Sequence, residues 1–226
     1  MSAVTPPAQG SVSTASSQGS RRRMPTQARS RERVEKILDI ASQIVVSAGV
    51  DALTTRSISE AAEIPVASVY QYFADRDAIL LALVERDTEE MDEQVRTDLG
   101  TLTTLSISNL VETTMRAYTS VYARRPDFLE IWVRGRSNAA VNDYGRQHNR
   151  RTAAELRDFA IAAGLARPDT PLAATELAVE IGDRVFQLAY ETDAEGDAFL
   201  IEQGIAMVSA YLMTYATPAG IEGVPA

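Results

Sequence analysis

The sequence predicts an all-α chain in two parts, a small N-terminal unit of three helices and a larger body of about six. Three observations carry this. Apolar residues recur at three- and four-residue steps from about residue 30 to residue 215. Breakers fall at helix-length intervals, at Gly49, Pro65, Gly100, Pro126, Gly164 to Pro171 and Gly196. No alternation of period two competes with them.

Taken in order, residues 1–20 are Ser, Pro, Gly, Ala and Thr in the main and carry no charge, so they cannot bury enough apolar area to offset ordering. A first helix is expected over 31–48, with Val34, Ile37, Leu38, Ala41, Ile44, Val45 and Ala48 on one face and Gly49 as its stop. Thr54 is a natural N-cap for a second helix over 55–62, and Ser57 at its third position is not expected to complete a capping box. Pro65 suits the first turn of a third helix over 65–72. Asp75 and Asp77 then mark a fresh start. Two short helices joined by a four-residue turn form a helix-turn-helix. In the third helix Val69 and Phe73 can pack inward with Ile64, leaving Val66, Ser68, Tyr70, Gln71 and Tyr72 over the remaining surface. The two tyrosines could instead lay their rings on the core and point only their hydroxyls at water.

Charge is unevenly placed. The chain has 226 residues and a formal net charge of −9. Residues 1–86 carry ten basic and nine acidic side chains, whereas residues 87–226 carry twelve and twenty-two. Arg21, Arg22, Arg23, Arg29, Arg31, Arg33 and Lys36 face only Glu32 and Glu35 within 21–36. A basic front on an acidic body suits one end that meets an anionic polymer, although a solvated tail can look the same. There is no cysteine, so disulfides and thiolate chemistry are excluded. No run approaches the roughly 18 apolar residues of a membrane span, and no apolar segment follows the three arginines as a secretion signal would require. A cytoplasmic, nucleoid-associated protein with no membrane partner is expected.

The stretch ILDIASQIVVSAGVDALTTRSISEAAEIPVASVYQYFADRDAILLAL, within residues 31–83, resembles the TetR family of bacterial transcriptional repressors. Helix, Gly, Thr-Thr-x-x-Ile, Ala, turn, Tyr-x-x-Phe, cap and Leu-Leu follow in undisturbed spacing. Glu63 stands where the family usually has Gly, so the turn must be one that a side chain tolerates. Ala74 stands where Pro is common, and Pro65 and Val66 replace a polar pair. The resemblance implies contacts to double-stranded operator DNA from Arg31, Thr55, Arg56, Val66, Ala67, Ser68, Tyr70, Gln71, Tyr72 and Arg76. It also implies a basic arm at Arg21–Arg23, Arg29, Arg31 and Arg33, a homodimer, and a small-molecule effector of unknown identity. The implied domains are a basic-ended tail at 1–29, the DNA-binding domain at 30–76, an effector-binding and dimerisation domain at 77–216, and a flexible C-terminus at 217–226.

The body is expected to contain helices at 76–99, 107–124, 127–136, 140–163, 171–193 and 197–215. The last two have apolar positions beyond one face. They are either simply buried or shared with a twin, and Leu177, Ile181, Val185, Leu188, Ile205, Val208 and Leu212 are the expected dimer seam. Leu110, Met115, Tyr118 and Tyr122, followed by Phe128 and Trp132, sit at core-like spacing. The resemblance places an effector cavity among them, with Met115, Tyr118, Tyr122, Trp132, Phe159 and Phe186 as its wall.

Catalysis has little to rest on. The one histidine, His148, cannot build a metal site by itself. No nucleophile elbow and no phosphate-cradling glycine loop exist. Glu176, Glu180 and Asp183 with Arg184 read as a solvated face or a dimer contact. Neither enzymatic activity nor a cofactor is expected. A ligand-binding protein with a lapsed DNA module, and an activator using the same module, remain alternatives.

Overall fold

The computed structural model describes residues 26–134 and 138–225. The helix α1, Thr26–Ala48, starts five residues earlier than the apolar pattern suggests. The sequence has no breaker between Pro25 and Gly49, and a polar first turn extends a helix as well as an apolar one does. Residues 26–29 are thus helical rather than tail, and residues 1–25 lie outside the described residues. Ile37, Leu38, Ala41 and Val45 are buried, while Ala48 is exposed. The helix stops at Gly49, whose φ of 81° suits glycine alone.

After a short turn at Val50–Ala52, α2 spans Thr55–Ala62. Its cap corrects the expectation. Thr54 accepts from the Ser57 backbone N–H, and the Ser57 hydroxyl accepts from the Thr54 N–H at 2.9 Å, so the capping box is complete with serine in the role usually held by Glu or Gln. Glu63 ends α2 at φ 53°, the left-handed region. A side chain there costs roughly 1 kcal/mol. Pro65 is the N-cap of α3 rather than its first residue, and α3 covers only Val66–Tyr70. Val69 and Phe73 are buried as expected.

Asp75 caps α4, Arg76–Leu99, accepting from the Ala78 N–H at 2.8 Å. The body continues with α5 (Ile107–Arg124), α6 (Pro126–Leu129), one π-helical turn at Glu130–Arg134, α7 (Ala139–Ala162), α8 (Leu172–Tyr190) and α9 (Ala198–Met213). The helix expected over 127–136 is therefore broken into α6 and the π turn. The helices α4, α5, α7, α8 and α9 pack around one continuous core that also joins α1 to α3.

The C-terminus is docked rather than flexible. A short α10, Pro218–Glu222, follows Thr217, whose hydroxyl donates to the Gly164 carbonyl at 2.6 Å. Strand β2 (Val224–Pro225) then pairs antiparallel with β1 (Thr104–Leu105), a two-residue pairing that the helical pattern conceals.

At Gly204, α9 lies so close to α8 that an added Cβ would come 2.5 Å from Val185 Cγ1. Val185 is branched at Cβ and cannot swing aside cheaply. The substitution Gly204→Ala should cost about 1–3 kcal/mol, read as a lower urea midpoint at unchanged slope.

Candidate nucleic-acid interface and ligand chamber

The first candidate surface lies on α2 and α3. Val66 and Tyr70 are 37% and 54% exposed, and Ala67 and Gln71 are exposed beside them. The Tyr70 hydroxyl lies 3.2 Å from Thr55 Oγ1, which ties the outer face of α3 to the first turn of α2. Ser68 is half-buried. Tyr72 divides from Tyr70, because its ring packs on the core. Arg56 is exposed and paired with Glu60 at 2.9 Å, a bond with little net worth in water that an anion can displace. Arg76 is differently placed. It donates through one guanidinium nitrogen to the Val50 carbonyl at 2.7 Å, bracing the turn after α1. Arg29, Arg31 and Arg33 project from the first turns of α1 into solvent, whereas Lys36 donates to the Ala62 carbonyl at the end of α2. Arg21, Arg22 and Arg23 lie outside the described residues.

Behind this surface a charge cluster joins α1 to the body. Arg86 on α4 meets Asp39 of α1 at 3.1 Å, Asp87 at 3.3 Å and Asp127 of α6 at 3.5 Å. Arg125 meets Glu90 at 2.6 Å and Asp87 at 3.7 Å, and Arg124 adds Glu90 at 3.2 Å. Asp87 is fully buried, and one of its oxygens has no hydrogen-bond partner. Burial first, and the like charge of Asp127 second, push its carboxyl up to about 7 against the pull of both arginines.

The second candidate site is an apolar cavity of about 120 Å³ enclosed by α4, α5, α7, α8 and α9. Met115, Tyr118, Tyr122, Trp132 and Phe186 line it. Phe159 does not. It is 41% exposed, because Leu156, Arg157 and Ala160 take the inner face of α7 at that level. Residues not expected at the wall are Thr88, Met91, Thr114, His148, Asn149, Thr152 and Gly182. Helical phase gives the signal for those on α7, since His148, Thr152 and Leu156 repeat every four residues. Burial holds the Tyr118 and Tyr122 hydroxyls well above their ordinary value, so both keep their protons.

Two family models match this chain. Residues 37–83 match the one described as bacterial regulatory proteins, tetR family, and residues 106–212 match the one described as tetracyclin repressor-like, C-terminal domain. The chain belongs to the TetR family. It is thereby a DNA-binding transcriptional regulator by fold and domain content. Solved structures agree. A TetR-family transcriptional regulator from Streptomyces coelicolor is 27% identical, with TM-score 0.67 over 81% of this chain and 99% of that one. A TetR-family transcriptional regulator from Pectobacterium atrosepticum is 20% identical, with TM-score 0.68 over 85% and 98%. A comparison with curated proteins returned no match. No helix among the described residues is long and apolar enough to cross a membrane.

The TetR chain's last two body helices divide the expected seam residues into three groups. Leu177 and Leu188 are 49% and 41% exposed, Ile181 and Leu212 are half-buried, and Val185, Ile205 and Val208 are buried within the protomer. Val185 presses on Gly204, and Val208 and Leu212 reach the cavity. In their place α9 exposes Phe199 and Met207, at 69% and 50%. Glu176, Glu180 and Asp183 are not a bare acidic face, since Arg150, Asn149 and Trp132 respectively engage them.

Asp87 gives a pH test. The folded chain holds a proton there up to about pH 7, whereas the unfolded chain releases it near pH 4. Its contribution to stability is complete below the unfolded value and is lost as pH rises through the folded one. Between pH 5 and 8, Asp87→Asn should therefore show a flatter melting-temperature profile than the wild type.

Proposed function

We propose that this TetR-family regulator is a homodimeric repressor that leaves a palindromic operator when a small molecule fills the body cavity. The observation that carries the reading is that one helix touches both sites. Asp75 and Arg76, at the start of α4, follow directly on the turn after α3, while Thr88 and Met91 of the same helix line the cavity. At about 1.5 Å per residue this rod transmits a displacement over tens of ångströms. Phe199 and Met207 of α9, with Leu177 and Leu188 of α8, supply the apolar face that a second copy would cover. A dimer would present two copies of α3 about one helical turn of DNA apart, roughly 34–36 Å. Ligand that prefers the other α4 position by a few kcal/mol would then empty the operator.

Within this reading Gln71, Tyr70 and Val66 meet base edges, Val66 favouring a thymine methyl. Thr55, Arg56 and the arginines of α1 meet phosphates. An activator would use the same contacts, so operator position decides between the two.

Genomic fragments captured by the purified protein at near-physiological salt should converge on a palindrome. Gln71→Ala should alter the preferred bases at defined positions, whereas Arg31→Ala should weaken all sites alike and flatten the salt slope by about one unit. Diffuse capture with no motif would instead favour a ligand-binding protein. The double variant Leu177→Glu, Leu188→Glu should sediment as a monomer and lose high-affinity binding to the palindrome while retaining its helical circular dichroism.

A further inference from the structure

Gly182 sits in the middle of α8, where glycine costs roughly 1 kcal/mol relative to alanine. Elsewhere in these helices glycine answers a contact. An added Cβ at Gly204 would meet Val185 at 2.5 Å, and one at Gly145 would meet the Trp132 ring at 2.5 Å. At Gly182 nothing lies within 4 Å of the position that a Cβ would take, yet the residue is buried. The empty space beside it is the cavity, whose wall it forms. The missing side chain therefore serves no packing need and leaves the cavity open.

The wall around that space is aromatic. Trp132 stacks on Phe128 at 5.2 Å and Phe128 on Tyr122 at 5.7 Å, and Phe186, one turn beyond Gly182, meets Tyr122 edge-on at 5.4 Å. Such a slab favours a further ring in offset or edge contact. A volume of about 120 Å³ is close to that of apolar cavities that hold a single benzene-sized ring.

The ionisable groups at the wall already hold hydrogen bonds within the protein, His148 at one ring nitrogen only. Asp183 accepts from Trp132 Nε1 at 2.7 Å and from Gln187 Nε2 at 2.5 Å. Arg157 donates to the Thr170 carbonyl at 2.7 Å and to Asp158 at 2.9 Å. His148 accepts at Nδ1 from Arg151 at 3.0 Å, and burial, with Arg151 beside it, pushes its ring down to about 4, so it is neutral. A charged ligand would give up its hydration for a low-dielectric space whose ionisable groups already hold hydrogen bonds within the protein. The Thr114 hydroxyl and His148 Nε2 are both buried at the wall without a hydrogen-bond partner.

We infer that the cavity takes an uncharged, ring-bearing apolar molecule with a hydrogen-bonding oxygen, and that Gly182 sets the size of ring admitted. The inference rests on the reading of the cavity as a ligand site and names the class of ligand.

Trp132 is the one tryptophan of the chain and lies at the wall, so its fluorescence in the full-length protein reports occupancy. Three probes of matched shape, benzyl alcohol, benzoate and benzylammonium, are titrated at neutral pH. Benzyl alcohol should saturate with an apparent Kd at least tenfold below both ions. Gly182→Ala should raise that Kd several-fold while raising the melting temperature, and Gly182→Leu should abolish the response. The Ala variant keeps the test decisive if the larger side chain unfolds the body. Equal or tighter binding of either ion, no saturable response to benzyl alcohol, or unchanged binding in Gly182→Ala would overturn the inference. Operator affinity is measured separately. Saturable, Gly182-dependent binding that leaves the operator occupied upholds the inference and counts against effector-controlled release. Absence of probe binding in a protein that still captures a palindrome overturns the inference alone.

Discussion

The continuity of α4 is the constraint on which the two ends of this molecule depend. Between Arg76 and Leu99 it has neither glycine nor proline, so it has no cheap place to bend. Its first turn is pinned by the Asp75 cap and by Arg76 reaching back to Val50, its second third carries Arg86 and Asp87 into the buried charge cluster, and Thr88 and Met91 form cavity wall. A buried cluster of this kind adds little net stability, because desolvation offsets the attraction. It is demanding about geometry, since moving one partner leaves a buried charge unpaired. Asp39 brings α1 into the same arrangement, so the three-helix unit and the body are coupled by polar contacts as well as by packing.

The reading surface shows how little local stability such a module requires. A five-residue α3 would not persist alone in water. It is held by Val69 and Phe73 in the core, by the left-handed residue at Glu63, and by the hydroxyl contact between Tyr70 and Thr55. With its inner positions given to anchoring, the outer ones are free to carry chemistry. Electrostatics adds orientation. An acidic body and exposed arginines on α1 would together turn one end of the molecule toward a polyanion.

Much of the fold was legible in the sequence because helix ends are written in local chemistry. Thr54 and Asp75 each accept the backbone N–H that a cap must satisfy, and α2 and α4 begin where these residues say. The resemblance to the TetR family likewise rests on Thr54, Ile58, Tyr70 and Phe73, which lie within one short stretch of the chain. Ser57 was misjudged because a serine can return a cap bond only when its rotamer turns back, which composition does not show. The docked C-terminus was missed because two-residue strands carry no period.

Sequence by itself determined the helices, the glycine stops, the DNA-binding module and the asymmetry of charge, all of which depend on residues close together in the chain. Tertiary structure decided which side of each helix meets which neighbour. Val185, Ile205 and Val208 went inward while Phe199 and Met207 stayed out, Phe159 faced solvent, Arg76 reached back to Val50, and Gly182 opened onto empty space. An apolar stripe wider than one face has two ways to be buried, and a glycine has the same sequence whether it admits a neighbour or a void. Only the packing of distant segments separates those cases.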